Sequence, residues 1–312
     1  MRVWRDLSDV PADLGRTVVT IGNFDGVHLG HQHVVARARE IAALRGADQV
    51  VAVTFDPHPM AVLRPEHAPV MLTTLEERLA LLDRAGADDV LVLPFSREMA
   101  AWTPEEFVQR VLVDALHAKG VVVGANFRYG CKAAGDVHDL SASGEQHDFV
   151  VDAVALDGGP QVWSSTYVRS CLAAGDVAGA AEALGRPFTV RGVVVKGDQR
   201  GRELGFPTAN VPTPVDAAAP CDGVYAGILT RHDTGESYPA AISVGTNPTF
   251  DGVVGRRVES YVIDRTGLDL YGVEVTVEFV DHLRGMVKFE GVEKLVETMH
   301  DDVRRAREVL GA

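Results

Sequence analysis

The chain has 312 residues, which at about 150 residues per domain favours two domains, each long enough to bury a core of its own. Lys and Arg number 30 against 44 Asp and Glu, a net charge of −14 that repels nucleic-acid phosphates and anionic lipid over most of the surface. With 46% apolar and 24% charged residues the composition excludes long disorder, a collagen-like chain and a coiled-coil rod.

Thr17 to Ile21 is a β-branched run closed by Gly22, and Val34, Val35, Ala38, Ile41 and Ala42 recur at helical spacing. The chain therefore opens on strand, tight loop and helix. The alternation continues through a strand at Val50 to Phe55, a helix near Leu75 to Ala85, a strand at Val90 to Leu93, a helix from Pro104 to His117 and a strand at Val121 to Val123. Nearly continuous apolar strands between helices predict a parallel sheet covered on both faces, a doubly wound α/β domain with ligand sites at the carboxyl ends of its strands. A strand at Val151 to Leu156 and short helices at Tyr167 to Ala174 and Val177 to Leu184 follow. From Arg186 the texture changes to short strands punctuated by Gly and Pro (FTVRGVVV, GVYAGIL, AAISV, RVESYVID, VEVTVEFV), which predicts an antiparallel barrel or sandwich. A closing amphipathic helix carries Val292, Leu295, Val296, Met299, Val303 and Leu310 on one face, with acidic residues at its start and basic ones at its end. The domains are expected at 1–185 and 186–312.

Cys131, Cys171 and Cys221 lie far apart with no C-x-x-C pair, so neither a zinc knuckle nor a disulfide framework is expected. The charged N-terminus and the lack of an apolar run of about 18 residues predict a cytoplasmic protein without signal peptide or membrane span.

In the segment I21-G-N-F-D-G-V-H-L-G-H31, Gly22, Gly26 and Gly30 allow close backbone approach where a helix N-terminus offers unpaired N–H groups to phosphate. His28 and His31 are spaced so that both imidazoles can face one anion and donate to phosphoryl oxygens as charge builds. A two-histidine metal site and two solvated loop histidines are the competing readings of these residues. Further on, W163-S-S-T-Y-V-R169 opens a helix after a strand and brings the Ser165 and Thr166 hydroxyls to a positive dipole end, with Arg169 one turn inward. The same Ser-Ser-Thr also serves as an ordinary helix cap. In the second half, Thr208 and Asn210 of G205-F-P-T-A-N210 alternate on one face of an extended segment and suit Mg²⁺ held chiefly by nucleotide phosphates and water. The glycines of G197-D-Q-R-G-R202 make either a phosphate-cradling loop or a simple turn.

The two motifs at the ends of the α/β domain resemble those of the nucleotidylyltransferase superfamily. Together with T54-F-D-P-H-P59 and G124-A-N-F-R-Y-G130, the first half resembles the FMN adenylyltransferase module of the prokaryotic bifunctional riboflavin kinase/FAD synthetases. The β half, through FPTAN, D222-G-V-Y-A226, S243-V-G-T-N-P-T-F250, R257-V-E-S-Y-V-I-D264 and D269-L-Y-G272, resembles their riboflavin kinase module. The resemblance covers nearly the whole chain. It implies that riboflavin is phosphorylated to FMN with release of ADP, and FMN adenylylated to FAD with release of pyrophosphate, ATP and Mg²⁺ serving both reactions. By the same resemblance Glu259, His28 and His31 are catalytic, and Thr208 and Asn210 hold Mg²⁺–ATP. Gly22, Phe24, Gly30, Ser165, Thr166 and Arg169 contact ATP phosphates in the first half, and Gly197, Arg200, Gly201 and Arg202 in the second. Asp56, His58, Pro59, Asn126, Phe127 and Arg128 contact flavin or FMN. Asn126 and Tyr129 depart from the pattern, standing where many relatives have Asp and Phe.

The chemistry agrees with the residue types. An FMN phosphate is already ionised near neutral pH and needs positioning and charge stabilisation but no base. The riboflavin 5′-hydroxyl is not ionised, so its phosphorylation needs a carboxylate such as Glu259 to take the proton. The alternatives are a nucleotidylyltransferase for another phosphomonoester and a flavin-sensing protein that has lost catalysis. Nucleic acid and membrane are not expected partners, and a weak or transient homo-oligomer is left open.

Overall fold

The structure, a computed structural model, describes residues 1–155, 163–197, 201, 204–248, 254–265 and 267–312, with backbone alone at 246–248 and 254–255. Leu156, Arg200, Arg202 and the end of the Ser243 to Phe250 motif, all named above, lie outside these residues. By its contacts the chain separates into two compact units, Met1–Ser164 and Ser165–Ala312.

The first unit is built on a six-stranded sheet in the order β1-β4-β3-β2-β5-β6, formed by β1 (Arg2–Trp4), β2 (Thr17–Ile21), β3 (Gln49–Asp56), β4 (Asp89–Pro94), β5 (Ala118–Gly124) and β6 (Val150–Val154). All five pairings are parallel. Helices α1 (Leu29–Arg45) and α3 (Leu75–Ala85) cover one face, where Val35, Ala38 and Leu82 pack on Val18, Val50, Ala52 and Val90. On the other face α4 (Pro104–Phe107), which runs on as π-helical turns over Val108–Ala115, packs with α5 (Val137–His147) against Val19, Val51 and Leu91. The helix expected over Pro104 to His117 is thus α-helical for its first turn alone, and Leu116 N–H reaches back five residues to the Val111 carbonyl at 3.1 Å.

Three elements absent from the sequence reading are β1, the short α2 (Pro59–Leu63) and α5. The sequence of α5, VHDLSASGEQH, has little apolar periodicity; a capping box between Asp136 and Asp139 starts it and the buried Leu140 holds it. In this sheet β2 leads to β3 and β4 on one side, and the chain then returns to β5 on the other. That reversal opens a crevice at the carboxyl ends of β2 and β5.

The second unit begins with α6 (Ser165–Ala174) and α7 (Val177–Leu184). The boundary drawn from composition differs from this division by these two helices. They group with the β-rich unit because α7 packs on β7 and β12, and because the Cys221 N–H donates to the Leu172 carbonyl at 2.9 Å. Six antiparallel strands follow in the order β7-β12-β9-β10-β11-β8: β7 (Phe188–Val193), β8 (Thr208–Pro212), β9 (Gly223–Arg231), β10 (Ser237–Pro248), β11 (Val254–Val262) and β12 (Glu274–Gly285). The sheet curls until Val195, just beyond β7, bridges to Asn210 on β8 through a 2.9 Å hydrogen bond. Alternation sends Val190, Tyr225, Leu229, Ile242, Val258, Val277 and Phe279 inward, all buried.

Helix α8 (Val292–Leu310) packs on β9, β10 and β12. Its contact face is narrower than the spacing predicts, for Val292 is 61% exposed while Asp302 and Ala306 are buried. Asp302 accepts hydrogen bonds from Arg284 Nε at 2.8 Å and Nη2 at 2.7 Å, which explains a carboxylate on the packed face.

Candidate active sites

Loop 22–28 carries the first constellation from the end of β2 to the start of α1. Phe24 and Val27 hold positive φ angles of 50° and 40° yet are almost fully buried, so packing imposes the turn. His28 is the residue before the first turn of α1 and His31 lies within that turn. Their rings stack with centroids 3.6 Å apart, and Phe24 meets His31 edge-on at 5.1 Å. A Cβ at position 30 would lie 3.1 Å from the His28 ring and 3.5 Å from the Trp163 carbonyl oxygen, so Gly30 makes room for the imidazole pair. Burial first, then His28 and Arg78, hold His31 well below the ordinary imidazole range. Its Nδ1 is buried without a hydrogen-bond partner. Stacked rings at a helix N-terminus, where the first backbone N–H groups have no intrahelical acceptor, suit an anionic oxygen.

The other predicted segments of this unit sit at the ends of the neighbouring strands. Asp56 ends β3 and is exposed, and the half-buried His58 caps α2 by accepting from Met60 N–H through Nδ1 at 3.1 Å, ahead of Pro59. At the end of β5, Asn126 is exposed, and the Phe127 ring stacks on Tyr129 with centroids 5.6 Å apart. Arg128 makes an exposed ion pair with Asp136 at 3.4 Å. Ser165, Thr166 and Arg169 lie in the first two turns of α6, and Ser165 and Arg169, four residues apart, share one side of that helix. The division into units assigns them to the second.

In the second unit, cross-strand register assembles the other constellation. Asn210 on β8 is directly opposite Glu259 on β11, and Thr208 is opposite Tyr261. Partners in an antiparallel ladder project from one face, so Thr208, Asn210 and Glu259 point the same way. Glu259 is partly exposed, with Arg257 Nη1 4.0 Å from its carboxylate. Asn210 donates through its amide nitrogen to Thr208 Oγ1 at 3.2 Å. Its Oδ1 is buried and has no partner, facing Gly197, where any Cβ would collide with it.

An orphaned neutral oxygen beside a hydroxyl suits a hard cation that brings phosphate and water as its remaining ligands. Among the described residues no group of three or more His, Cys, Asp or Glu is placed to hold a metal ion. Gly197, Thr208 and Asn210 line a cavity of about 410 Å³ together with Ser260, Arg265 and Tyr271. The Gly201 carbonyl accepts from Phe206 N–H at 2.7 Å.

The sequence of the first unit and that of the second match two different family models. Residues 10–166 match FAD synthetase and residues 184–310 match riboflavin kinase. The chain belongs to the bifunctional riboflavin kinase/FMN adenylyltransferase family. The enzyme of that name from Pseudomonas fluorescens is 38% identical over 310 residues, covering 98% of this chain and 97% of the relative. That of Escherichia coli K12 is 36% identical over 309 residues, covering 98% and 96%. A solved structure from Streptococcus pneumoniae, described as a macrolide-efflux protein, superposes with a TM-score of 0.87 at 32% identity and 98% coverage of both chains.

Within this bifunctional chain the FAD synthetase match contains both histidines and the riboflavin kinase match contains Thr208, Asn210 and Glu259. Two buried charged residues of the FAD synthetase part went unnoticed in the sequence. Asp25, inside the histidine loop, accepts from Leu72 N–H at 3.0 Å and Thr73 N–H at 3.2 Å. Arg78, 3% exposed, donates to Thr54 Oγ1 at 3.3 Å and the Phe55 carbonyl at 3.2 Å. Asp25 stands among glycines and Arg78 within the charged segment LEERLALLDRA, where nothing local marks either as buried.

Proposed function

We propose that the chain makes FMN and FAD by two separable ATP-dependent reactions, one carried by each constellation, with the functional boundary at 185/186. In the riboflavin kinase reaction Glu259 takes the proton of the riboflavin 5′-hydroxyl as its oxygen bonds to the γ-phosphorus of ATP, and ADP departs. Asn210 and Thr208 hold Mg²⁺–ATP, and the loop from Gly197 through Arg200, Gly201 and Arg202 covers its phosphates. Mg²⁺, when bound, neutralises phosphate charge. The observation that carries the reading is the direct cross-strand opposition of Glu259 and Asn210 on one sheet face.

In the adenylylation, an FMN phosphate oxygen bonds to the α-phosphorus of ATP as the bond to the β-phosphate oxygen breaks and pyrophosphate departs. His28 and His31 donate to the α-phosphoryl oxygens, with Gly22, Phe24 and Gly30 shaping the loop around them. Ser165, Thr166 and Arg169 hold the departing pyrophosphate. Asp56, His58, Pro59, Asn126, Phe127 and Arg128 bind FMN. The stacked pair at the start of α1, in the crevice where the strand order reverses, supports this reading.

The enzyme works in the cytoplasm on riboflavin, FMN and ATP and needs neither nucleic acid nor membrane. Support comes from the net charge of −14, and among the described residues no helix is long and apolar enough to cross a membrane. The test is incubation with riboflavin, ATP and Mg²⁺, with flavins separated over time. FMN that appears first and is then consumed into FAD is the expected course. FAD formed from added FMN, with none from riboflavin, would leave the adenylyl site alone, and no conversion would reject the proposal.

A further inference from the structure

Arg78 is a buried cation with no carboxylate among its hydrogen-bonded partners. Its side chain is 3% exposed, its Nη1 donates to two neutral oxygens, Thr54 Oγ1 and the Phe55 carbonyl, and its Nε is buried without a partner. An arginine so placed is costly unless something in the fold uses its charge. Its position gives that use. Thr54 Oγ1, which accepts from Arg78, donates in turn to the Asn23 carbonyl at 3.1 Å, so α3, the end of β3 and the histidine loop are joined in one chain of hydrogen bonds. Asp25 closes the opposite side of that loop onto residues 72 and 73, just ahead of α3.

We propose that Arg78 is a positioning residue of the adenylyl-transfer site, a fixed positive charge that pins the loop under His28 and His31 and opposes a second positive charge on the stacked rings until polyphosphate arrives. The inference rests on the reading of His31 as a catalytic donor. The groups facing His31 are His28 on its own helix, the Phe24 ring from the loop and Arg78 from α3, and the acidic groups facing Arg78 are Asp25 and Asp56. Two stacked rings 3.6 Å apart beside a third cation cannot both hold protons without strong repulsion. An incoming triphosphate reverses the local potential and lets the pair take up a proton where charge develops.

The experiment compares wild type with Arg78→Gln, Arg78→Lys, Thr54→Val and His31→Asn. The His31 ring titration is followed by NMR, and FMN adenylylation is measured against pH and normalised to the riboflavin kinase rate of the same sample. Loss of the charge in Arg78→Gln is expected to move the His31 titration and the acid limb of adenylylation upward by about one pH unit. Arg78→Lys is expected to restore both. Thr54→Val, which keeps charge and volume but removes the bond to Asn23, is expected to lower the adenylylation kcat about tenfold, the worth of one hydrogen bond at about 1.4 kcal/mol, with the KM for ATP little changed. A folded Arg78→Gln whose His31 titrates as in wild type overturns the proposal. Should that variant not fold, a wild-type kcat in Thr54→Val overturns it. His31→Asn separates the two layers: if it leaves adenylylation intact, the reading of the site falls, whereas if it abolishes adenylylation while the Arg78 variants behave as wild type, the role of Arg78 falls alone.

Discussion

Glu259 on β11 and Asn210 on β8 are direct cross-strand partners in the antiparallel ladder, so a carboxylate and a buried amide oxygen share one face of the sheet. In the proposed reading Glu259 is the proton acceptor and Asn210 a cation ligand on the neighbouring strand. Glu259→Gln keeps the shape and removes the base, and should lower riboflavin kinase kcat by about 10²–10⁴ while FMN adenylylation continues at the wild-type rate. Assaying each reaction from its own flavin substrate checks this, and a parallel loss of both would reject separate sites.

Gly197 faces the orphaned oxygen of Asn210, and a Cβ there would push the amide out of place. Gly197→Ala is expected to raise the Mg²⁺ concentration needed for half-maximal kinase activity about tenfold, corresponding to about 1.4 kcal/mol. A Mg²⁺ titration at fixed ATP reads the change. An unaltered titration curve would remove Asn210 from the metal's surroundings.

Replacing both stacked imidazoles, as His28→Asn with His31→Asn, takes away the two groups proposed to donate to the α-phosphoryl oxygens. FMN adenylylation should fall by at least about 10²–10³, the effect of losing one transition-state donor, and the kinase rate should stay. Pyrophosphate release from FMN and ATP is the direct measure.

His31 also predicts a pH dependence of stability. Burial and the neighbouring cation hold its folded value well below the ordinary imidazole range. The unfolded chain therefore binds the proton first as pH falls. The contribution of this group is whole above the unfolded value, about 6.5, and is lost as pH falls through that value towards the lower folded one. Calorimetric unfolding of the first unit between pH 8 and pH 5 should show a steeper decline for wild type than for His31→Gln. Parallel declines would show that the imidazole is not held neutral by the fold.

Arg284 and Asp302 tie β12 to α8 through a bidentate pair whose side chains are 19% and 7% exposed. Asp302→Ala strands a largely buried guanidinium and should destabilise the second unit by about 3 kcal/mol, read from urea denaturation. A loss within 0.5 kcal/mol, the range of an ordinary surface change, would mean that α8 is held by its apolar contacts alone.

Local sequence carried much of the fold and the outline of both sites. Helical spacing over residues 31–45 and 75–85 marked α1 and α3, and apolar runs marked β2, β3, β4 and β5, because burying one face at a fixed period leaves a trace in adjacent residues. The histidine loop and the FPTAN segment were legible because each is contiguous. Elements stabilised by capping or by distant partners left little trace, as with α5, which depends on Asp136 and Leu140.

What the sequence by itself determined was the order of the central strands and longer helices, without β1, α2 and α5, the change from parallel α/β to antiparallel β, and the residue types available at each strand end. Only the tertiary structure decided that Asn210 meets Glu259 across 49 residues of chain, that Arg78 reaches the end of β3, and that α6 and α7 group with the β-rich unit. Register, side-chain burial and helix docking are settled by contacts between residues far apart in the chain. A periodic pattern states which face of an element is buried, but the partner of that face is chosen only when the whole core packs.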